Sequence, residues 1–152
     1  MSAVGAKRGQ SGKLISIESK LSNLRSVVQQ SLSVYFIDTA NRFVSVKFTK
    51  RLTFGDIENY ASALCADPQF DSAFSEVVDL REVKEVALST EELIALADRV
   101  DPFSPRARRA FVAHSPAQIN AAQLHRILRP EAGNVRVFFS MDEAEQWIAA
   151  GS

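Results

Sequence analysis

Apolar residues recur along this chain with two periods, and the change from one to the other divides it. Leu14, Ile17, Leu21, Leu24 and Val28 are spaced three, four, three and four apart, which places them on one stripe of a helix. The pattern predicts an amphipathic helix over residues 14–31. Its stripe serves either as cover for the domain's own sheet or as a seam for a homodimer, and two heptads fall short of a coiled coil. Leu32–Ile37 and Phe43–Phe48 are then rich in β-branched and aromatic residues and flank the polar Asp38-Thr39-Ala40-Asn41-Arg42, which predicts a β-hairpin. Within Phe43–Phe48 apolar residues occupy both parities with Ser45 and Lys47 between them, so one face is expected buried and the other partly covered.

Beyond the hairpin the pattern alternates between helix and strand, and each predicted helix opens on the same device. Thr53 with Asp56, Ser89 with Glu92, Ser115 with Gln118 and Ser140 with Glu143 each place a hydroxyl three residues before a side-chain acceptor. That is the capping box, in which the hydroxyl accepts the N3 amide hydrogen and the later side chain accepts the N-cap amide. Asp56 is a shorter variant, and Pro116 supports Ser115 because a missing amide hydrogen costs nothing at the first helical position. Apolar stripes follow: Ile57, Tyr60, Ala61, Leu64; Leu93, Leu96, Ala97, Val100; Ala117, Ala121, Leu124, Leu128; and Ala144, Trp147, Ile148. Trp147, the only tryptophan, is expected to be buried next to Phe138 or Phe139. Short apolar strands are predicted at Glu76–Leu80, Ala110–Ala113 and Val135–Phe139, with Pro68, Pro102, Pro105 and Pro130 in the helix-to-strand connections. The fold class is α/β: an N-terminal hairpin, then alternating helix and strand, in a mixed, mainly parallel five-stranded sheet flanked by helices over residues 32–150.

Composition bounds the rest. The 152 residues suit one domain, and residues 1–13, rich in Gly, Ser and Ala without apolar periodicity, are expected to be disordered. Eighteen basic and eighteen acidic residues cancel, so no global field draws the protein to nucleic acid or an anionic membrane. A single cysteine, Cys65, excludes an internal disulfide. The chain has no apolar run long enough for a signal-peptide core or a membrane span, which points to the cytoplasm. Cys65 falls at the end of a predicted helix, where a small buried or half-buried thiol is expected. The two histidines, His114 and His125, stand eleven positions apart, and no Cys, His or acidic cluster has ligand spacing, so neither a metal nor another cofactor is expected.

Four stretches taken together resemble a known family. They are Val77-Val78-Asp79-Leu80-Arg81-Glu82-Val83 followed by Leu88-Ser89, then Arg109-Ala110-Phe111-Val112-Ala113, then Val137-Phe138-Phe139, then Glu143-Ala144-Glu145-Gln146-Trp147-Ile148. In order and spacing they resemble the STAS superfamily, the anti-sigma-factor-antagonist fold, and more closely the bacterial SpoIIAA-like proteins. A looser likeness extends to CRAL-TRIO lipid-exchange domains. In the signalling members, a strand resembling Val-Val-Asp-Leu precedes an Asp-Ser-Ser-Gly turn with a phosphorylated serine at a helix start. Ala87-Leu88-Ser89-Thr90 stands in that place here. The resemblance therefore implies Ser89 as a regulatory phosphoacceptor. The missing Asp, second Ser and Gly, together with Glu91 and Glu92, leave the plain N-cap as the competing account.

Other candidate chemistry is local. Arg99, Arg106, Arg108 and Arg109 surround Asp101-Pro102-Phe103-Ser104-Pro105, a patch that either binds phosphate or carboxylate or forms a solvated mixed-charge loop. Helix N-termini collect beyond the carboxyl ends of parallel strands, so Ser115 joins Arg106, Arg108 and Arg109 as a candidate anion site. Ten phenylalanines fill the core or line a cavity. Two functions follow, in this order. The leading one is a non-catalytic regulatory or protein-interaction module whose partner is another protein, and the alternative is a carrier of a small apolar or lipid-like ligand. An enclosed Phe-lined pocket on the order of several hundred Å³ favours the carrier, while a packed interior with an exposed apolar patch favours the protein module. An enzyme ranks third and needs His114, Asp79 or Ser115 to converge in one concave site.

Overall fold

A computed structural model describes residues 32–99, 101–129 and 132–151; the expectations for residues 1–13 and 14–31, the dimer seam included, lie outside the described residues. Strands β1 (Leu32–Asp38) and β2 (Phe43–Thr53) form the expected antiparallel hairpin, with Asp38 opposite Phe43. Asp38 closes the turn by accepting hydrogen bonds from the Asn41 backbone N–H (2.9 Å) and Nδ2 (2.9 Å). Arg42 completes it at φ 60°, a left-handed conformation that costs a non-glycine residue about 1–2 kcal/mol.

The chain continues through α1 (Phe54–Ala66), β3 (Ser75–Ala87), α2 (Thr90–Asp98), β4 (Arg109–Val112), α3 (Pro116–Ile127), a 3₁₀ turn (Ala132–Asn134), β5 (Val135–Phe138) and α4 (Met141–Ala150). The five strands lie side by side in chain order, and every pair after the hairpin is parallel. The crossover helices therefore have to lie on the faces of the sheet. On one face Val44, Val46, Phe48, Val78, Leu80 and Phe111 pack beneath α1 and α3. On the other, Val77, Ala110 and Val112 meet Ala144 and Ile148 of α4.

Strands β2 and β3 run further than the sequence pattern predicts, to Thr53 and Ala87. They continue to pair through two register shifts, between Lys47 and Thr49 and between Lys50 and Arg51, with Lys50 at φ 62°. Ion pairs from Lys47 to Glu82 and from Arg51 to Glu85 flank this extension. Its exposed positions are charged, so the apolar period fades although the ladder does not.

All four predicted N-caps form, with Thr53, Ser89, Ser115 and Ser140 each accepting from the N3 amide. The reciprocal half closes at Thr53, Ser89 and Ser115 and is not formed at Ser140. The shorter Asp56 closes its box at 2.9 Å and is buried. Gln118 exceeds a cap. Its Oε1 accepts from the backbone N–H groups of His114 (2.7 Å) and Ser115 (3.1 Å), while Nε2 donates to the Val83 carbonyl (2.8 Å). It thereby ties the start of α3 to β3.

Two expectations need correction. Cys65 is exposed, because α1 buries Asp56, Tyr60 and Leu64 at four-residue steps and the next position turns away. Trp147 is half-buried, because Ala144 and Ile148 occupy the buried stripe of α4. Its ring packs against Phe138 at 5.7 Å, and the Arg108 and Arg136 guanidiniums lie 4.8 and 5.4 Å from its centroid.

Gln118→Glu, although it supplies the usual capping-box residue, is expected to cost about 1–3 kcal/mol in urea unfolding. It leaves the Val83 carbonyl without its donor and buries a charge. Glu92→Gln, at the exposed box of α2, is expected to stay within about 0.5 kcal/mol. Equal effects would refute a bridging role for Gln118.

Candidate functional site

The central strands place charge where periodicity demands apolar side chains. Glu76 shares parity with Val78 and Leu80 on β3, and Arg109 shares parity with Phe111 on β4, so both point under the helices. The parallel register sets Glu76 directly beside Arg109. They are 2% and 7% exposed, and an uncompensated charge there would cost several kcal/mol. Arg109 Nε donates to Glu76 Oε1 at 2.9 Å, and the Tyr60 hydroxyl of α1 donates to Glu76 Oε2 at 2.7 Å. Arg109 Nη1 donates to Asp101 Oδ2 at 2.5 Å. Arg129, just beyond α3, donates to the same Asp101 oxygen through Nη1, and through Nε to His125 Nε2 at 3.1 Å.

The electrostatics follow from this crowding. Burial alone pulls Arg109 down, but the carboxylates of Glu76 and Asp101 outweigh it and hold it above the ordinary arginine value. Arg129 is lowered by burial and by repulsion from Arg109, against the attraction of Asp101, and still remains charged near neutrality. Burial, with Arg109 and Arg129 nearby, drives His125 well below the free imidazole value, so the ring is neutral. Burial and the Glu76 carboxylate raise Tyr60 well above its usual range, which keeps its proton on.

These groups form the floor of a cavity of about 450 Å³ between the sheet and helices α1, α2 and α3. Its walls are apolar: Phe48, Leu52 and Phe111 from the sheet side, Phe103 from the loop before β4, and Leu93 and Leu96 from α2. Ala61, Ala121 and Ala122 stand where larger residues would fill it. Helix α2 buries none of its own residues, so it roofs the space without closing it. At its end Arg99 pairs with Glu58 of α1 and lies 5.5 Å from the Phe54 ring. A second space of about 210 Å³ lies beyond the cluster, sharing Asp101, Arg109 and Arg129 as its wall.

The candidate residues from the sequence do not converge. Arg109 faces the cavity, whereas Arg108 points to the opposite face and donates to the Trp147 carbonyl at 2.7 Å; adjacent residues on a strand alternate sides. Arg106 is exposed on the connecting loop. The Ser115 hydroxyl accepts from Gln118 N (3.2 Å), and His114 Nε2 meets the Phe139 carbonyl (2.8 Å). Asp79 is held by Arg81 at 2.9 Å through each carboxylate oxygen. Burial raises its pKa, but those hydrogen bonds prevail and hold it below the usual range. Ser89 is exposed, and its hydroxyl accepts from Glu92 N at 3.1 Å. Sequence reasoning missed Tyr60, Glu76, His125 and Arg129. The legible signal was Glu76 at a doubly buried strand position, which requires an unseen cation. Among the described residues no three His, Cys, Asp or Glu side chains gather as a metal site, and no helix is long and apolar enough to cross a membrane.

Comparison with solved structures shows the fold. A protein of the DUF3478 family with a SpoIIAA-like fold, from Shewanella loihica PV-4, superposes with a TM-score of 0.52 at 19% identity, covering 78% of this chain and 94% of its own. This chain has the SpoIIAA-like fold that the resemblance implied. No family model and no curated protein matches the sequence.

Replacing Glu76 alone by Leu is expected to cost about 3–5 kcal/mol in urea unfolding, because Arg109 keeps only Asp101, which Arg129 also needs. The double variant Glu76→Leu with Arg109→Met is expected to recover much of that loss, since Asp101 and Arg129 still balance. A double variant no more stable than the single one would contradict this accounting.

His125 predicts a pH dependence. Above its unfolded value of 6.5 both states are neutral there. As the pH falls below that value, the unfolded chain takes up a proton that the folded one resists, so stability drops. Unfolding free energy is expected to decline between about pH 7 and pH 5 and to flatten in His125→Gln. An unchanged slope in that variant would place the pH dependence elsewhere. Asp79 acts in a separate, lower window: its stabilisation is present above 3.8 and is lost as the pH falls through its depressed folded value.

Proposed function

We propose that this domain is a non-catalytic binding module that takes a small, largely apolar molecule into the space beneath α2. The observation that carries this reading is the cavity of about 450 Å³, walled by Phe48, Phe103, Phe111 and leucines over a polar floor. That combination of apolar walls with a few convergent polar groups is the usual make-up of a small-molecule site. Binding rather than catalysis is supported by where the candidate chemistry goes, because Ser115, His114 and Asp79 are each engaged in structural hydrogen bonds.

A second reading, recognition of another protein, draws on a different observation. Val34 and Phe36, on the edge strand β1, are 69% and 65% exposed. They alternate with Tyr35 and Ile37, so they share the sheet face away from α1. The two readings are compatible in a module whose ligand modulates a partner. Phosphorylation of Ser89 would act at the N-cap of the roof helix, and Arg106, as an anion contact, would lie outside the cavity.

The test is a bulky substitution in the wall. Ala61→Phe fills space that the wild type leaves open, so it is expected to abolish uptake of the apolar fluorophore N-phenylnaphthylamine while the melting temperature stays level or rises. Unchanged uptake in a folded Ala61→Phe variant would remove the cavity as the binding site. Native mass spectrometry of protein purified from its own cells, with and without the substitution, checks the same point without a dye.

A further inference from the structure

We infer that the molecule taken up by this cavity carries an uncharged hydrogen-bond acceptor, a carbonyl of the ketone, aldehyde, ester or amide kind, seated against Arg109 and Arg129. The inference rests on the cavity being a ligand site and adds the polarity and charge of the ligand's head.

The floor holds two guanidiniums, Arg109 and Arg129, and two carboxylates, Glu76 and Asp101, joined by the ion pairs described. His125 adds none, being neutral. The set sums to zero, so it has no excess charge to offer a carboxylate, a phosphate or an ammonium group. A charged head there would enter an apolar space unpaired, or would first have to break one of the existing pairs.

Every carboxylate oxygen of the cluster already accepts a hydrogen bond: Glu76 Oε1 from Arg109 and Oε2 from Tyr60, Asp101 Oδ2 from both arginines, and Asp101 Oδ1 from the Phe103 backbone N–H at 3.1 Å. The donors are not all used. Each arginine spends Nε and Nη1 and leaves Nη2 without a protein partner among the described residues. Neither Nη2 is a sealed orphan, because the single buried polar atom without a partner among the described residues is Thr49 Oγ1. Both residues line the cavity, and both also wall the second space, so these donors stand at the boundary between the two. His125 Nε2 accepts from Arg129, so the proton of the neutral ring sits on Nδ1 and adds a donor. A floor with spare donors, carboxylates already engaged and zero net charge complements a neutral acceptor.

The other polar groups around the space do not alter this. Glu58 and Arg99 neutralise each other at the mouth, and Ser62 and Cys65 stand on the exposed side of α1.

The experiment displaces N-phenylnaphthylamine from the full-length protein with four probes of matched chain: 2-decanone, 1-decene, decanoate and decylammonium, at about pH 8, where the last two are charged. We expect 2-decanone to compete at least roughly tenfold better than decanoate or decylammonium, and several-fold better than 1-decene, one net hydrogen bond being worth up to about tenfold. In Arg129→Met the margin of 2-decanone over 1-decene should shrink toward none while the dye still binds. Decanoate or decylammonium matching 2-decanone overturns the inference, as does an undiminished margin in a folded Arg129→Met. Should that variant not fold, the four-probe series on the wild type decides alone. If no probe and no dye enters, the cavity reading itself falls and takes this inference with it, an outcome distinct from binding without the expected selectivity.

Discussion

The ion pair between Glu76 and Arg109 is the constraint on which the rest of this structure hangs. It joins neighbours in adjacent parallel strands, on the one face where three helices have to close over a sheet. Because neither charge reaches water freely, each recruits further partners, and those partners come from different elements: Tyr60 from α1, Asp101 from the loop after α2, Arg129 from the end of α3. Hydrophobic burial holds the layers together without direction, whereas this network fixes which turn of each helix faces which strand. A buried pair of this kind adds little net stability compared with apolar substitutes, and its value lies in penalising other arrangements.

The same network accounts for the space above it. At positions 76 and 109 a glutamate and an arginine stand where the strand period calls for apolar side chains, and their heads are held by each other, by Tyr60 and by Asp101 as a polar floor. The small side chains Ala61, Ala121 and Ala122 on α1 and α3, and a roof helix that buries nothing, leave the volume unfilled. The opposite face carries its own buried carboxylate, Asp79, held by Arg81 at the sheet's margin, and is closed by Ala144 and Ile148 against Val77, Ala110 and Val112.

The frame of the fold was legible in the sequence. The hairpin, the order of helices and strands, and the four N-caps come from local chemistry: turn residues, period, and a hydroxyl three positions before an acceptor. The site was legible only in outline. Tyr60, Glu76, Asp101, Arg109, His125 and Arg129 are scattered over seventy positions, and nothing local says that positions 76 and 109 share a rung of the sheet. Gln118 shows the same limit within one residue: its oxygen, which caps, was predictable, and its nitrogen, which reaches Val83, required the tertiary fold. Trp147 erred the other way, since period placed it near the buried stripe but flanking Arg108 and Arg136 hold it at the margin.

The roof helix has an evolutionary consequence. Most of the cavity is walled by residues that folding itself requires, such as Phe48 and Phe111, whose replacement would be selected against whatever the protein binds. Leu93 and Leu96 of α2 line the same space without belonging to the buried core. Substitutions there change the shape offered to a guest at small cost to the scaffold, so descendants of this chain can drift in preference along α2 while the charged floor stays fixed. Selectivity is thereby separated from foldability and placed on the helix with the most freedom to vary.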